Sequence, residues 1–325
     1  VYALGSGSGT SHTAFGKDCG VDLSTGTGNA LFGEGAGADL STGEHNVAVG
    51  YRALFEGTTE SDDNVAIGYN AMGGSIGTES VNDCVAVGSG ALAGNLDSTN
   101  GIDEASGSIA IGKSALASLT IGDGNIAIGH QALQDNTTGV RNTMIGYNAA
   151  LDANDPNFKF NVGIGNYVFD GVASGIDAEE NVAIGYLAMS GVLTGASHEN
   201  VDVGGRALLT LTSGAGNVAI GAYAGDALTT SNNSVAIGLN ALGAGTTQSH
   251  NNVAIGHTAM SGNFSTAAVE GCVVVGQGSM MGVLTAAASN TIAIGKDSLA
   301  ALTSGAGNVA IGYQSLDAQT DGNNN

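Results

Sequence analysis

The hexapeptide Asn-Val-Ala-Ile-Gly-Tyr at residues 181–186 recurs, intact or altered, along the whole chain, and no other feature constrains the fold as strongly. Its Gly falls at seventeen places from Gly16 to Gly312, at intervals of 17 to 24 residues. A unit of that length cannot bury a core alone, so copies must stack on one another along an axis. The shortest unit is seen twice in the same words, LTSGAGNVAIG, at residues 211–221 and 302–312.

Aligned on the motif Gly, each position acquires a role. The residue before it is always bulky and apolar, and Val or Ile usually stands two residues earlier still. Between them lies Ala in twelve of the seventeen copies, among them Ala66, Ala127 and Ala310. Alternation with period two predicts a strand. Because it is large against small rather than apolar against polar, both strand faces are expected to be buried, one in a roomy layer and one in a tight one. Val65, Ile67, Ile128, Ile184, Ile220, Ile255 and Ile311 are the expected structural core. A solitary solenoid buries only its inward face, so a second buried face predicts packing between chains.

Three and four residues after the motif Gly come Ala and then Leu or Met, as in Ala132-Leu133 and Ala259-Met260, predicting a second wall of each coil. In six of the seven 17-residue intervals another Gly precedes the motif Gly by seven residues: Gly26, Gly43, Gly122, Gly139, Gly214 and Gly305. There it is expected to supply a turn with positive φ. The residue opening the motif is Asn in eleven copies, which predicts a stacked amide ladder. The resulting expectation is an all-β, parallel β-solenoid (a β-roll) of about 17 coils. It forms a single repeat domain over residues 1–325, with repeats from about 12 to 316. Both ends read as cuts through a longer chain. The longer intervals at residues 93–107, 170–180 and 261–271 read as loops on one side, and they or the approach to the motif hold acidic residues such as Asp103, Glu104, Glu179 and Glu180.

Composition narrows the function classes. Seven Lys and Arg oppose 29 Asp and Glu, a formal charge of −22, which disfavours nucleic acid and anionic membrane surfaces. No apolar run is long enough to span a bilayer, so no membrane insertion of this segment is expected. Cys19, Cys84 and Cys272 are too few and too far apart for a disulfide framework, and Cys84 and Cys272 share a repeat position, as small apolar substitutes would. The six His are scattered without metal-ligand spacing, and read as surface polar residues. No cofactor is expected; weak Ca2+ binding by acidic loops is the single exception. Asp202 stands where most copies carry Ala, a costly place for a carboxylate unless it is paired or hydrated. It marks either an axial water or ion site or a local opening of the core. Five of the eight Tyr, namely Tyr51, Tyr69, Tyr147, Tyr186 and Tyr313, directly follow the motif Gly and are candidate contacts for a glycan or protein receptor, or else covers for the rim of each turn.

These residues resemble two repeat families. The Val-Ala-Ile-Gly core resembles the head repeats of trimeric autotransporter adhesins, and the NVAIGYNAM of residues 64–72 is similar to repeats of bacteriophage tail fibres. The resemblance covers the chain from Gly16 onward, although the 17-to-24-residue spacing is longer than in the adhesin head. It implies a left-handed β-roll, a homotrimer about one axis, and an extracellular place on a virion or bacterial surface. The function it implies is non-enzymatic attachment to a host cell or surface. The alternative is a structural subunit of an extracellular filament that stacks end to end.

Overall fold

A computed structural model of the chain describes residues 10–56, 61–76, 80–96, 105–172, 175–244, 249–264, 269–284 and 288–325. Asp103 and Glu104 lie outside the described residues. All regular structure is β, without a helix among the described residues. The chain divides into two compact units, Val1–Asn161 and Val162–Asn325.

Every motif becomes a strand of three residues. In the first unit eight such strands, from Thr13–Phe15 to Thr143–Ile145, pair in parallel with the copy one coil later. In the second, nine strands from Val162–Ile164 to Val309–Ile311 do the same. The register is the one the alignment on Gly demands: Val65 sits beside Val85, Ala66 beside Ala86 and Ile67 beside Val87. Strands joined to their neighbours close about fifteen turns of parallel β-solenoid in all, fewer than the count of motifs because a strand at the end of a ladder closes no turn.

The two faces of the strand are not alike, and here the expected core is corrected. The middle residue points into the coil: Ala66, Ala127, Ala219 and Ala310 are fully buried, as are the larger Leu31, Met144 and Val274 in the same column. The flanking Val and Ile point outward. Ile67, Ile184, Ile220 and Ile255 retain 36 to 39% of their surface, Ile311 retains 66%, and Val65 and Ile128 are half-covered. Their columns are continuous, but they form the outside of the sheet. The physical reason is that a coil this short has little internal width, and the second wall fills most of it.

That wall is the Ala-Leu or Ala-Met pair after the motif Gly. Leu54, Met72, Leu133, Leu208 and Leu242 are fully buried, and the Leu or Met N–H donates to the Ala carbonyl one coil on, as from Met72 to Ala91 at 2.8 Å. These residues are not strand. The Leu or Met and the residue two before it both lie in the left-handed region, for example Gln131 at φ 58° and Leu133 at φ 51°. Holding a bulky residue there costs about 1–2 kcal/mol, which burial of a Leu or Met, worth about 1.5–3 kcal/mol, offsets.

Asn forms the third internal column. Asn46 donates from its backbone N–H (2.8 Å) and its side-chain amide (3.1 Å) to Oδ1 of Asn29, and Asn64 repeats both bonds to Asn46. Asn142 on Asn125 in the first unit, and Asn200 on Asn181 and Asn217 on Asn200 in the second, continue the pattern. The ladder is buried, so each amide satisfies backbone groups that the short strands leave open. Cys84 and Cys272 occupy ladder positions: their N–H groups bond Oδ1 of Asn64 and Asn252. Their thiols donate to the carbonyls of Ala105 and Ala288, and burial pushes them up to about 12 and about 11.

The second set of glycines serves two purposes rather than one. Gly122, Gly214 and Gly305 do adopt positive φ, at 134°, 142° and 105°. Gly26, Gly43 and Gly139 do not; there a Cβ would run into the carbonyl oxygen of the coil above, of Gly43, Ser61 and Phe158 respectively. Close approach of backbone to backbone requires Gly at all six positions, and at Gly122, Gly214 and Gly305 the positive φ requires it as well.

Candidate interaction face

The outward side of each sheet carries three parallel columns, two of Val and Ile from the strand and one from the residue after the motif Gly. In the second unit the strand columns run from Val162 and Ile164 to Val309 and Ile311 in unbroken register. Scattered surface apolar residues need no explanation, but a contiguous strip of branched aliphatic side chains is a candidate interaction surface. The sequence located these residues and missed the direction in which they face.

The five candidate Tyr stand on the third column and all are exposed, from 41% at Tyr51 to 67% at Tyr313. They do not make one continuous row. Tyr51 and Tyr69, on adjacent coils, stack with ring centroids 5.4 Å apart and planes 10° from parallel. His130 stacks on Tyr147 at 5.2 Å, and Tyr186 meets Tyr167 edge-on at 6.2 Å. Elsewhere the column holds other residue types, such as Lys113 and Leu239.

Beside Tyr51 the first unit has a shallow groove of about 340 Å³ whose lining includes Lys17, Glu34, Asp39, Tyr51, Arg52 and Phe55. The Arg52 guanidinium lies over the Phe55 ring at 4.5 Å and near the Tyr51 ring at 5.5 Å. Partial burial, helped by Asp22 and Glu56, raises the Asp39 carboxyl above its ordinary range. Aromatic faces beside carboxylates and a cation offer both stacking and hydrogen bonding to a polar ligand.

Asp202 is on the inward face, not on an outer or axial one. It is fully buried, pairs in register with Ala183 and Ala219, and neither carboxylate oxygen has a hydrogen-bond partner. Burial pushes its carboxyl up to about 9; the backbone of Met189 opposes this without completing a hydrogen bond. The coil is closed around it, so the local opening expected from the sequence is absent at this residue.

Among the described residues one set of side chains is grouped as metal ligands are: Asp177, Glu179 and His198. The scattered-histidine reading overlooked it. The available signal was alignment, since Glu179 and His198 each stand two residues before a motif Asn, Asn181 and Asn200. No helix among the described residues is long and apolar enough to cross a membrane. No protein family, no curated protein and no solved structure matches the chain.

Proposed function

We propose that this chain is a non-enzymatic segment of an extracellular attachment fibre, whose chains associate as a homotrimer through the Val and Ile columns. The carrying observation is the uncovered apolar strip: Ile184, Ile220 and Ile255 keep more than a third of their surface exposed in register along one side. Burying such a strip against copies of itself removes apolar surface from water, at about 25 cal/mol per Å². The resemblance to adhesin and tail-fibre repeats supplies the number three and the role in attachment to a host cell or surface. In an assembled fibre each surface feature appears once per chain. Weak contacts made by the Tyr column or the Tyr51 groove to a glycan or protein receptor then add through avidity.

The test is mass in solution. Sedimentation of the intact chain is expected to give a trimer, and the triple variant Ile184→Lys, Ile220→Lys, Ile255→Lys a monomer with an unchanged β-type circular dichroism spectrum. A monomeric wild type, or a variant that stays trimeric, overturns the assignment of the face. Mass that grows without limit as concentration rises favours the end-to-end filament instead.

A further inference from the structure

Outside the repeat core, the coil interval of residues 170–180 adds a short second ladder in which Ala178–Glu179 pairs in parallel with Ser197–His198. Glu179 and His198 are direct partners in that register. The N–H of Ser197 donates to the carbonyl of Asp177 at 2.9 Å and that of Glu199 to Glu179 at 3.2 Å, which fixes the two coils against each other. Ala178 and Ser197 are fully buried, so period-two alternation turns Asp177, Glu179 and His198 together to the outside.

There the imidazole of His198 lies between two carboxylates. Its Nε2 is 3.8 Å from Oδ2 of Asp177 and its Nδ1 is 3.9 Å from Oε1 of Glu179. One ligand atom from each residue falls within 4.8 Å of the other two. Around an ion bound at about 2.1 Å, neighbouring ligand atoms stand roughly 3.0–3.4 Å apart. A single ring nitrogen of His198 serves one ion, so rotations of the exposed side chains must close up to about 1.5 Å between ligand atoms, which leaves the ladder in place. Nδ1 of His198 is shielded from solvent and has no hydrogen-bond partner, an unmet demand that a bound cation would satisfy.

We propose that Asp177, Glu179 and His198 form a binding site for a divalent transition ion of the zinc type. The donor set decides the class. Imidazole nitrogen with two carboxylates suits Zn2+ and its first-row neighbours, whereas Ca2+ takes six to eight oxygens. The three side chains keep 47%, 31% and 26% of their surface, so the ion enters from solvent and retains positions for water or a partner's ligand. The chain's formal charge of −22 draws cations to it. Bound there, the ion bridges consecutive coils of the second unit and fastens the widened interval to its neighbour. The site stands apart from self-association, since none of its residues belongs to the Val and Ile columns.

Isothermal titration of the tag-free intact chain with Zn2+ tests it, with the amide exchange of Ser197 and Glu199 followed in parallel. One ion per chain is expected, together with at least a tenfold slowing of exchange at those two amides. His198→Gln and Asp177→Asn are each expected to weaken binding tenfold or more and to abolish the slowing. His250→Gln, a change elsewhere in the same unit, leaves both unchanged. Absence of stoichiometric binding overturns the proposal. So does binding that survives both substitutions, or Ca2+ binding as tightly as Zn2+ with His198→Gln silent. The exchange of unliganded variants reports their folding, so lost binding in a disordered coil is told apart from a lost ligand; in that event Glu179→Gln, judged by the same two readouts, decides.

Discussion

Within a single strand the repeat builds two environments that obey different rules. In Val218–Ile220, Ala219 is fully buried inside the coil while Ile220 keeps 39% of its surface on the outside. The inward residue is small and enclosed in most coils, and the large outward one is left partly uncovered in the single chain. In most proteins the bulky branched residue marks the core. Here internal width is the scarce quantity, because the Leu and Met of the second wall and the Asn ladder already occupy the interior. The outward column therefore inherits the hydrophobic side chains, and the proposed association rests on them.

The sharpest way to break the inner side is at the motif Gly that ends each strand. Gly129 has φ 141°, and a Cβ there would overlap the carbonyl oxygen of Gly146 in the next coil. Gly129→Ala is expected to open the coils on either side at a cost above about 4 kcal/mol, strain and overlap combined. Hydrogen exchange at Ile126 and Thr143 reads it, since both N–H groups bond the neighbouring coil. Gly312 separates the two contributions: its φ is 126°, yet a Cβ there meets nothing within 4 Å. Gly312→Ala should cost only the strain, and equal losses at the two sites would refute the close-approach explanation.

Asp202 tests the inner side in the opposite direction. Its folded-state value of about 9 lies far above the unfolded value of about 3.9. The folded coil thus holds a proton that the unfolded chain releases. Stability from this group is fully present below about pH 4, is lost steadily as pH rises, and levels off above about pH 9. Asp202→Ala, which restores the residue found at Ala183 and Ala219, removes that slope and stabilises the coil at pH 7 by up to about 4 kcal/mol. Urea unfolding at pH 5, 7 and 9 measures it. A wild type whose stability is flat over that range would place a partner beside the carboxylate.

Much of this architecture was legible before any coordinates. Seventeen copies aligned on one Gly fix the parallel register, because stacked coils of similar length leave it no freedom. The amide column was legible too, since Asn at one repeat position has the same neighbour above and below. What the alignment does not encode is sidedness. Alternation identifies which residues share a face and not which face is inside; that depends on the opposite wall, whose alternating left-handed residues such as Gln131 and Leu133 no propensity argument favours. The Asp177, Glu179 and His198 group escaped for another reason. His198 lies 19 residues after Glu179, one coil length, and becomes its neighbour only when the coil is closed.

The outer side gives the smallest effect, and for that reason the most discriminating one. Ile220→Thr keeps the β-branch, removes apolar surface from a residue already 39% exposed, and leaves no buried group unsatisfied. In an isolated chain it should cost about 1 kcal/mol or less, read as urea midpoint at a concentration where only monomer sediments. In the proposed fibre the same side chain would be covered by another copy, and each subunit would lose the contact once. The dissociation constant should then shift by more than the stability of the coil does. Measuring both in one series, with Ile184→Thr and Ile255→Thr as repeats, asks whether the strip acts as a surface or as a core. Association that weakens while coil stability holds identifies a surface completed only by other copies. Coil stability that falls in step with association would mean the columns hold the single chain together, and the distinction between the two sides of the strand would fail.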